Sequence, residues 1–310
     1  MATAAGDSES GDESADSAHT GSEAPGAATV ASNGGKKPSK AGRNLPVAIA
    51  VGVGLGALVL LTVTTYKWTF ALLATAGVAV GIHEITSAFR KSGVQIARTP
   101  LYVGVVAIAV MAYLYGVVGL LMVYGLIVIS ALIWRIRRGT DHYVRDVTAT
   151  VFTASYLPLM LGFAVLTIAS PLGPQLIAVF ICLTIANDIG GYATGVLFGK
   201  HPIAPQVSPK KSWEGFAGSA VFQAAIGAWL FIWLLDGQWW QGVIAGLVMT
   251  VTATAGDFAE SALKRDLGVK DLGNILPGHG GLMDRLDSLL PNAFVSWLLF
   301  MIFGFIPAVS

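Results

Sequence analysis

From Pro46 onward the chain is a succession of apolar stretches, each near twenty residues, parted by short polar breaks. Few folds tolerate that pattern. A helix needs about 20 apolar residues to cross a hydrocarbon layer about 30 Å thick. Backbone inside that layer must also satisfy its own hydrogen bonds, which a helix does and an open sheet edge does not. The chain is therefore read as an all-α polytopic membrane protein. Its charge agrees, since a soluble domain is roughly 25% charged and this chain is 12% charged, with a mean hydropathy of +0.68. The predicted spans are 46–65, 68–88, 101–116, 118–134, 148–169, 174–198, 213–235, 240–262 and 291–309, about nine transmembrane helices.

Loops that stay in the cytoplasm collect Lys and Arg. Of the 19 such residues, all but Lys67 fall in alternate breaks. That split puts the N-terminus in the cytoplasm and Ser310 outside, in a protein expected in a bacterial plasma membrane with its active site facing the cytoplasm. Three regions follow. Residues 1–44 form an Ala/Gly/Ser-rich tail, acidic from Asp7 to Glu23 and basic from Lys36 to Arg43, too polar to bury a core and expected to be disordered. It is too long and too acidic for a cleaved signal peptide. Residues 45–170 carry the N-terminal transmembrane helices. Residues 171–310 form a catalytic membrane domain with cytoplasmic loops. The net charge of +1 and the lack of a basic patch interleaved with aromatics exclude nucleic acid as a partner. Cys182, the only cysteine, forms no disulfide within the chain and is expected in the core.

Charge concentrates in 261–287, which holds Lys264, Arg265, Asp266, Lys270, Asp271, His279, Asp284, Arg285 and Asp287. Ionisable groups beside a bilayer are costly and mark function. Just upstream, Asp257, Glu260, Ser261 and Lys264 recur at i, i+3, i+4 and i+7 and share a helix face. The glycines around His279 (Gly278, Gly280 and Gly281) precede a predicted helix over 282–290, and a helix start with free N–H groups suits phosphate. Asp284 and Asp287, joined by Asp257, offer hard oxygen ligands of the kind Mg²⁺ takes beside substrate phosphates. A second cluster starts with Asn187 and Asp188 inside an apolar span. It continues through the loop from Ser208 to Gly215, where Lys210 and Lys211 suit a polyanion. Glu84 is read as a satisfied structural acid ahead of a proton relay or a headgroup contact. Arg135, Arg137 and Arg138 serve topology or attract anionic lipid.

The segment 261–287 resembles the signature of the phosphatidate cytidylyltransferases, or CDP-diacylglycerol synthases: S-x-[apolar]-K-R-x4-K-D-x-[small]-x2-[apolar]-P-x-H-G-G-[apolar]-x-D-R-[apolar]-D. Ser261, Leu263, Lys264, Arg265, Lys270, Asp271, Gly273, Leu276, Pro277, His279, Gly280, Gly281, Leu282, Asp284, Arg285, Leu286 and Asp287 meet every specified position. Asn187, Asp188, Gly191, Tyr192 and the run from Ser208 to Gly215 resemble the family's second motif block. The likeness covers 174–309; residues 46–170 share only a run of membrane helices.

The resemblance implies the reaction CTP + phosphatidic acid → CDP-diacylglycerol + pyrophosphate, with Mg²⁺, often a monovalent cation such as K⁺, surrounding membrane lipids and a homodimer. By match to the family's acidic positions, it assigns metal to Asp257, Asp284 and Asp287. It assigns the phosphates to Lys264, Arg265 and Lys270, and the CTP triphosphate or lipid headgroup to Ser208, Lys210 and Lys211. Ser261, Asp271 and Arg285 join the substrate site, the turn His279–Gly281 holds the nucleotide, and Asp188 completes the polar pocket. Two rivals stay open. One is a CTP-dependent transferase or kinase acting on another lipid. The other is a transporter, which would place its acids at a midplane site between inverted repeats.

Overall fold

The computed structural model describes residues 45–137, 139–273 and 281–307; the predicted disordered tail, 1–44, lies outside them. The helices are α1 (Leu45–Thr65), α2 (Lys67–Lys91), α3 (Arg98–Ile136), α4 (Tyr143–Ala154), α5 (Met160–Ala169), α6 (Gly173–Phe198), α7 (Trp213–Leu235), α8 (Trp239–Asp266), α9 (Met283–Leu286) and α10 (Leu289–Ile302). A π-helical stretch, Ser155–Leu159, joins α4 to α5. A two-stranded antiparallel hairpin, β1 (Pro202–Ala204) and β2 (Ser208–Ser212), stands between α6 and α7. It is a small departure from the all-α expectation.

Among the described residues, six stretches are long and apolar enough to cross a membrane: α2, α3, α4 through α5, α6, α7 and α8. This is an integral membrane protein. The predicted nine differ from these six in three places. α10 has 14 residues, about 21 Å of helix, and ends seven residues before the predicted boundary. α1 contributes a shorter apolar stretch, Gly52–Thr65. The predicted pair 101–116 and 118–134 falls within α3, which reverses at Gly116 (φ 64°, ψ −146°), a backbone conformation open to glycine. A Cβ on Gly104 would lie 2.4 Å from Ile127 Cδ1. In a straight helix those two positions would stand about 34 Å apart, so the halves of α3 fold back on one another.

Helices α6, α7 and α8 approach backbone to backbone. A Cβ on Gly242 would sit 2.1 Å from the Gly227 carbonyl oxygen, and one on Gly246 2.5 Å from that of Gln223. Small residues permit such contact between membrane helices, and polar side chains then bond across it. Gln223 Nε2 donates to the Leu183 carbonyl at 2.7 Å, and Thr250 donates to Gln223 Oε1. Cys182, expected in the core, is instead exposed on α6.

The N-terminal half has its own polar staple. Arg135 at the end of α3 donates from Nε to Asp146 Oδ2 at 2.9 Å and from its other nitrogens to the carbonyls of Gly139, at 2.8 Å, and Asp141. Asp146 Oδ1 accepts the Gln95 N–H at 3.1 Å. Arg135 is 6% exposed, so its charge serves this internal pair and not a lipid surface. Arg137 is exposed, and Arg138 lies outside the described residues.

Candidate active site

Three elements bring the charged residues together. The hairpin carries Ser208, Lys210 and Lys211, and is fixed at its base by Glu214. That carboxylate accepts the N–H groups of Lys200 (3.1 Å) and His201 (3.2 Å) and pairs with His201 Nδ1 at 2.6 Å. Ser212 caps α7 by accepting the Gly215 N–H at 3.1 Å. The last turns of α8 supply Asp257, Glu260, Ser261 and Lys264, the predicted shared face, and Arg265 beside them. α9 and the turn after it supply Asp284, Arg285 and Asp287. Gly256 lets this last segment close on α8, since a Cβ there would stand 2.2 Å from the Asp287 carbonyl oxygen.

The result is a cleft of three adjoining lobes. One, of about 480 Å³, is lined by Asp188, Tyr192, Lys211, Asp257, Glu260, Ser261, Lys264, Asp271, Asp284, Arg285 and Asp287. A second, of about 390 Å³, holds Ser208, Lys210, Ser261, Lys264, Arg265 and Lys270 and no acid. The third, of about 210 Å³, runs between α6 and α7 past Asp188, Gly191, Tyr192, Phe216, Lys211 and Asp257. Every predicted site residue within the described chain except Gly281 lines at least one lobe. Gly281 donates its N–H to Asp284 Oδ2 at 3.0 Å. His279 and Gly280 lie outside the described residues.

Two lysines of the cleft are paired with acids. Lys211 Nζ meets Asp257 Oδ2 and also lies 5.2 Å from the centre of the Phe258 ring. Lys264 Nζ bridges Glu260 Oε2, at 2.7 Å, and Asp284 Oδ1. Asp287 Oδ1 accepts the Ser288 N–H at 2.7 Å. Burial pushes the Lys211 ammonium down to about 8, against the pull of Asp287, Asp188 and Glu260, because a low dielectric disfavours charge. Burial likewise raises Asp287 above the usual carboxylate range. Burial would raise Asp284 too, but hydrogen bonds from Lys264, Glu260 and the Gly281 N–H, with the Lys264 charge, together outweigh it and hold that carboxyl low.

The three aspartates named for metal do share a lobe, yet no three acidic, histidine or cysteine side chains among the described residues gather at one point. Lysines stand between them. Sequence reasoning set Glu260 on the right face without giving it a role, although it is 3% exposed and its Oε1 has no hydrogen-bond partner among the described residues. Glu84, read as a structural acid inside an apolar span, is buried and accepts the Met283 N–H at 2.8 Å. Tyr156, which donates to the Asp287 carbonyl at 3.2 Å, left no signal at all, because it lies 131 residues away.

The chain is 37% identical over 278 residues to a phosphatidate cytidylyltransferase of Mycobacterium leprae, covering 84% of this chain and 89% of that protein. It matches the one from Mycobacterium tuberculosis at 37% over 273 residues, covering 84% and 83%. A phosphatidate cytidylyltransferase of Helicobacter pylori matches at 37% over 131 residues, 42% of this chain and 49% of that protein. The profile of the cytidylyltransferase family spans residues 46–303, nearly the whole described fold and both motif-bearing segments, and the chain belongs to that family.

Proposed function

We propose that this protein is a CTP:phosphatidate cytidylyltransferase that makes CDP-diacylglycerol and pyrophosphate at the cytoplasmic face of a bacterial plasma membrane. The observation that carries this reading is the convergence of an acid-free basic lobe and a lobe of paired acids and lysines, in a chain similar to phosphatidate cytidylyltransferases along most of its length. The charge asymmetry of the loops supports nine spans with a cytoplasmic N-terminus, with the two halves of α3 counted separately and α1 and α10 completing the set. A homodimer is the assembly that the family resemblance implies.

An oxygen of the lipid phosphate attacks the α-phosphorus of CTP in line. The bond from that phosphorus to the bridging oxygen breaks, and pyrophosphate leaves. The obstacle is the crowding of anionic oxygens, so positioning and electrostatic stabilisation do most of the catalysis. The basic lobe suits the triphosphate, the more highly charged substrate group, through Lys210, Lys264, Arg265 and Lys270. Lys211, Asp188 and Arg285 border the lobes in which the lipid phosphate would meet it. No general base is needed, because a phosphate monoester is already anionic at neutral pH.

Mg²⁺ fits the donors present. The carboxylates of Asp257, Asp284 and Asp287 are hard oxygen ligands, and buried Glu260 Oε1 has no hydrogen-bond partner among the described residues. These aspartates would hold the ion, with a monovalent cation such as K⁺ beside it, and the bound charge would offset that of the phosphates. EDTA should therefore reduce activity to background and added Mg²⁺ should restore it; turnover that survives EDTA would remove the metal from this account.

The function itself is tested by pyrophosphate release from detergent-purified protein given CTP and Mg²⁺ with phosphatidic acid, dolichol, diacylglycerol or no lipid. Release with phosphatidic acid alone is expected. Release with an alcohol acceptor would reassign the lipid, and release with none of them would reject the reaction.

A further inference from the structure

We propose that Glu84 is a positioning residue, whose carboxylate reaches from α2 in the N-terminal half to the backbone at Gly273 and at Gly281–Met283, setting Asp284 and Asp287 in the cleft. The proposal rests on the cytidylyltransferase reading for its kinetic test only.

Glu84 is 2% exposed, so it touches neither water nor lipid headgroups. Its Oε2 accepts the Met283 N–H at 2.8 Å across 199 residues of chain. A Cβ on Gly281 would fall 3.0 Å from the same Oε2, and one on Gly273 2.0 Å from Oε1. A Cβ on Gly281 would also stand 3.0 Å from the Gly273 nitrogen, so the two chain ends touch where the carboxylate meets them. Only a residue without a side chain fits at 273. Gly281 in turn donates to Asp284 Oδ2, so Glu84 is one residue removed from a side chain assigned to the chemistry.

The rest of α2 agrees with a seat shaped for this segment. Gly77, Gly81 and Glu84 follow at i, i+4 and i+7 along one face. A Cβ on Gly81 would meet Leu286 Cδ1 at 3.3 Å and Met283 Sδ at 3.7 Å, and one on Gly77 would meet Leu282 Cδ2 at 3.9 Å. Small residues thus let α9 lie against α2, with Glu84 at its leading end. Misplacing a reacting group by about 1 Å can cost on the order of 10²-fold in rate, so a clamp at this point controls turnover without touching substrate.

The test combines Gly273→Ala, Glu84→Asp and the double variant, with hydrogen exchange at the Met283 amide. Gly273→Ala drives a methyl group into the carboxylate and should lower kcat about tenfold, with the KM for CTP within about twofold of wild type. The shorter Glu84→Asp side chain withdraws from that methyl, so the double variant should recover at least about threefold over Gly273→Ala. Glu84→Asp alone should speed Met283 exchange about tenfold, by removing its acceptor, at an unchanged melting temperature. Gly273→Ala carries the kinetic test alone if Glu84→Asp fails to fold. Wild-type kcat in Gly273→Ala, independent effects in the double variant, or unaltered Met283 exchange would each overturn the proposal. The exchange measurement needs no turnover, so it stands even if the substrate has been misidentified.

Discussion

Asp284→Asn should lower kcat on the order of 10²–10³-fold, the scale seen when one preorganised electrostatic partner is lost from an active site. Its two oxygens have separate duties: Oδ1 pairs with Lys264, and Oδ2 accepts the Gly281 N–H at 3.0 Å. Asparagine fills the same space and can keep the second contact, but it lacks the charge for the first and is a poor ligand for a hard cation. The fold should therefore survive while the chemistry fails. Pyrophosphate release measured beside a thermal melt separates the two. Asp266→Asn is the control, since that exposed acid at the end of α8 lines none of the three lobes and should keep full activity. An Asp284→Asn protein within tenfold of wild type would remove this residue from the reaction.

Asp146→Ala should act in the opposite way, on stability far more than on turnover. It strands the Arg135 guanidinium, 6% exposed, without its carboxylate, and breaking one partner of a buried pair costs about 3–5 kcal/mol. It also leaves the Gln95 N–H without its acceptor. For a chain of this size that corresponds to a fall of about 10 °C in melting temperature. Arg145 also reaches Asp146, at 3.3 Å, but its side chain is 45% exposed. Arg145→Ala should thus cost no more than about 1 kcal/mol. Equal shifts in the two variants would mean that the buried pair does not hold α3 to α4. The specific activity of whatever Asp146→Ala protein stays folded should match wild type, because neither Arg135 nor Asp146 lines the cleft.

Much of this architecture was legible because hydrocarbon thickness imposes a length on helices, and apolar runs display that length directly. The reversal at Gly116 fell inside the interval where the predicted spans divided. The clustering of Asp257, Glu260, Ser261 and Lys264 followed from helical spacing alone. Less legible was anything fixed by distant pairing. The hairpin read as a loop, since Ser208–Ser212 is polar and holds a proline and two lysines. The partners of those lysines could not be read either, because Lys211 and Asp257 meet across 46 residues. Glu84 stood out as an acid in an apolar helix, but its purpose depended on which backbone would arrive beside it. The π-helical turn around Pro158, which presents Tyr156 to Asp287, follows from a missing N–H whose local resolution depends on the packing of neighbours.

The pairing of lysines with aspartates has a consequence for how ligands enter. Lys211 and Lys264 cannot turn to phosphate oxygens without releasing carboxylates, and a released buried carboxylate then needs positive charge from elsewhere. On the proposed function, nucleotide and cation should therefore be thermodynamically linked: whatever factor the cation adds to the affinity for nucleotide, the nucleotide should add to the affinity for the cation. Lys211 and Lys264 are neutralised from within the cleft by Asp257, Glu260 and Asp284, and the proposed reaction would exchange those partners for the two ligands.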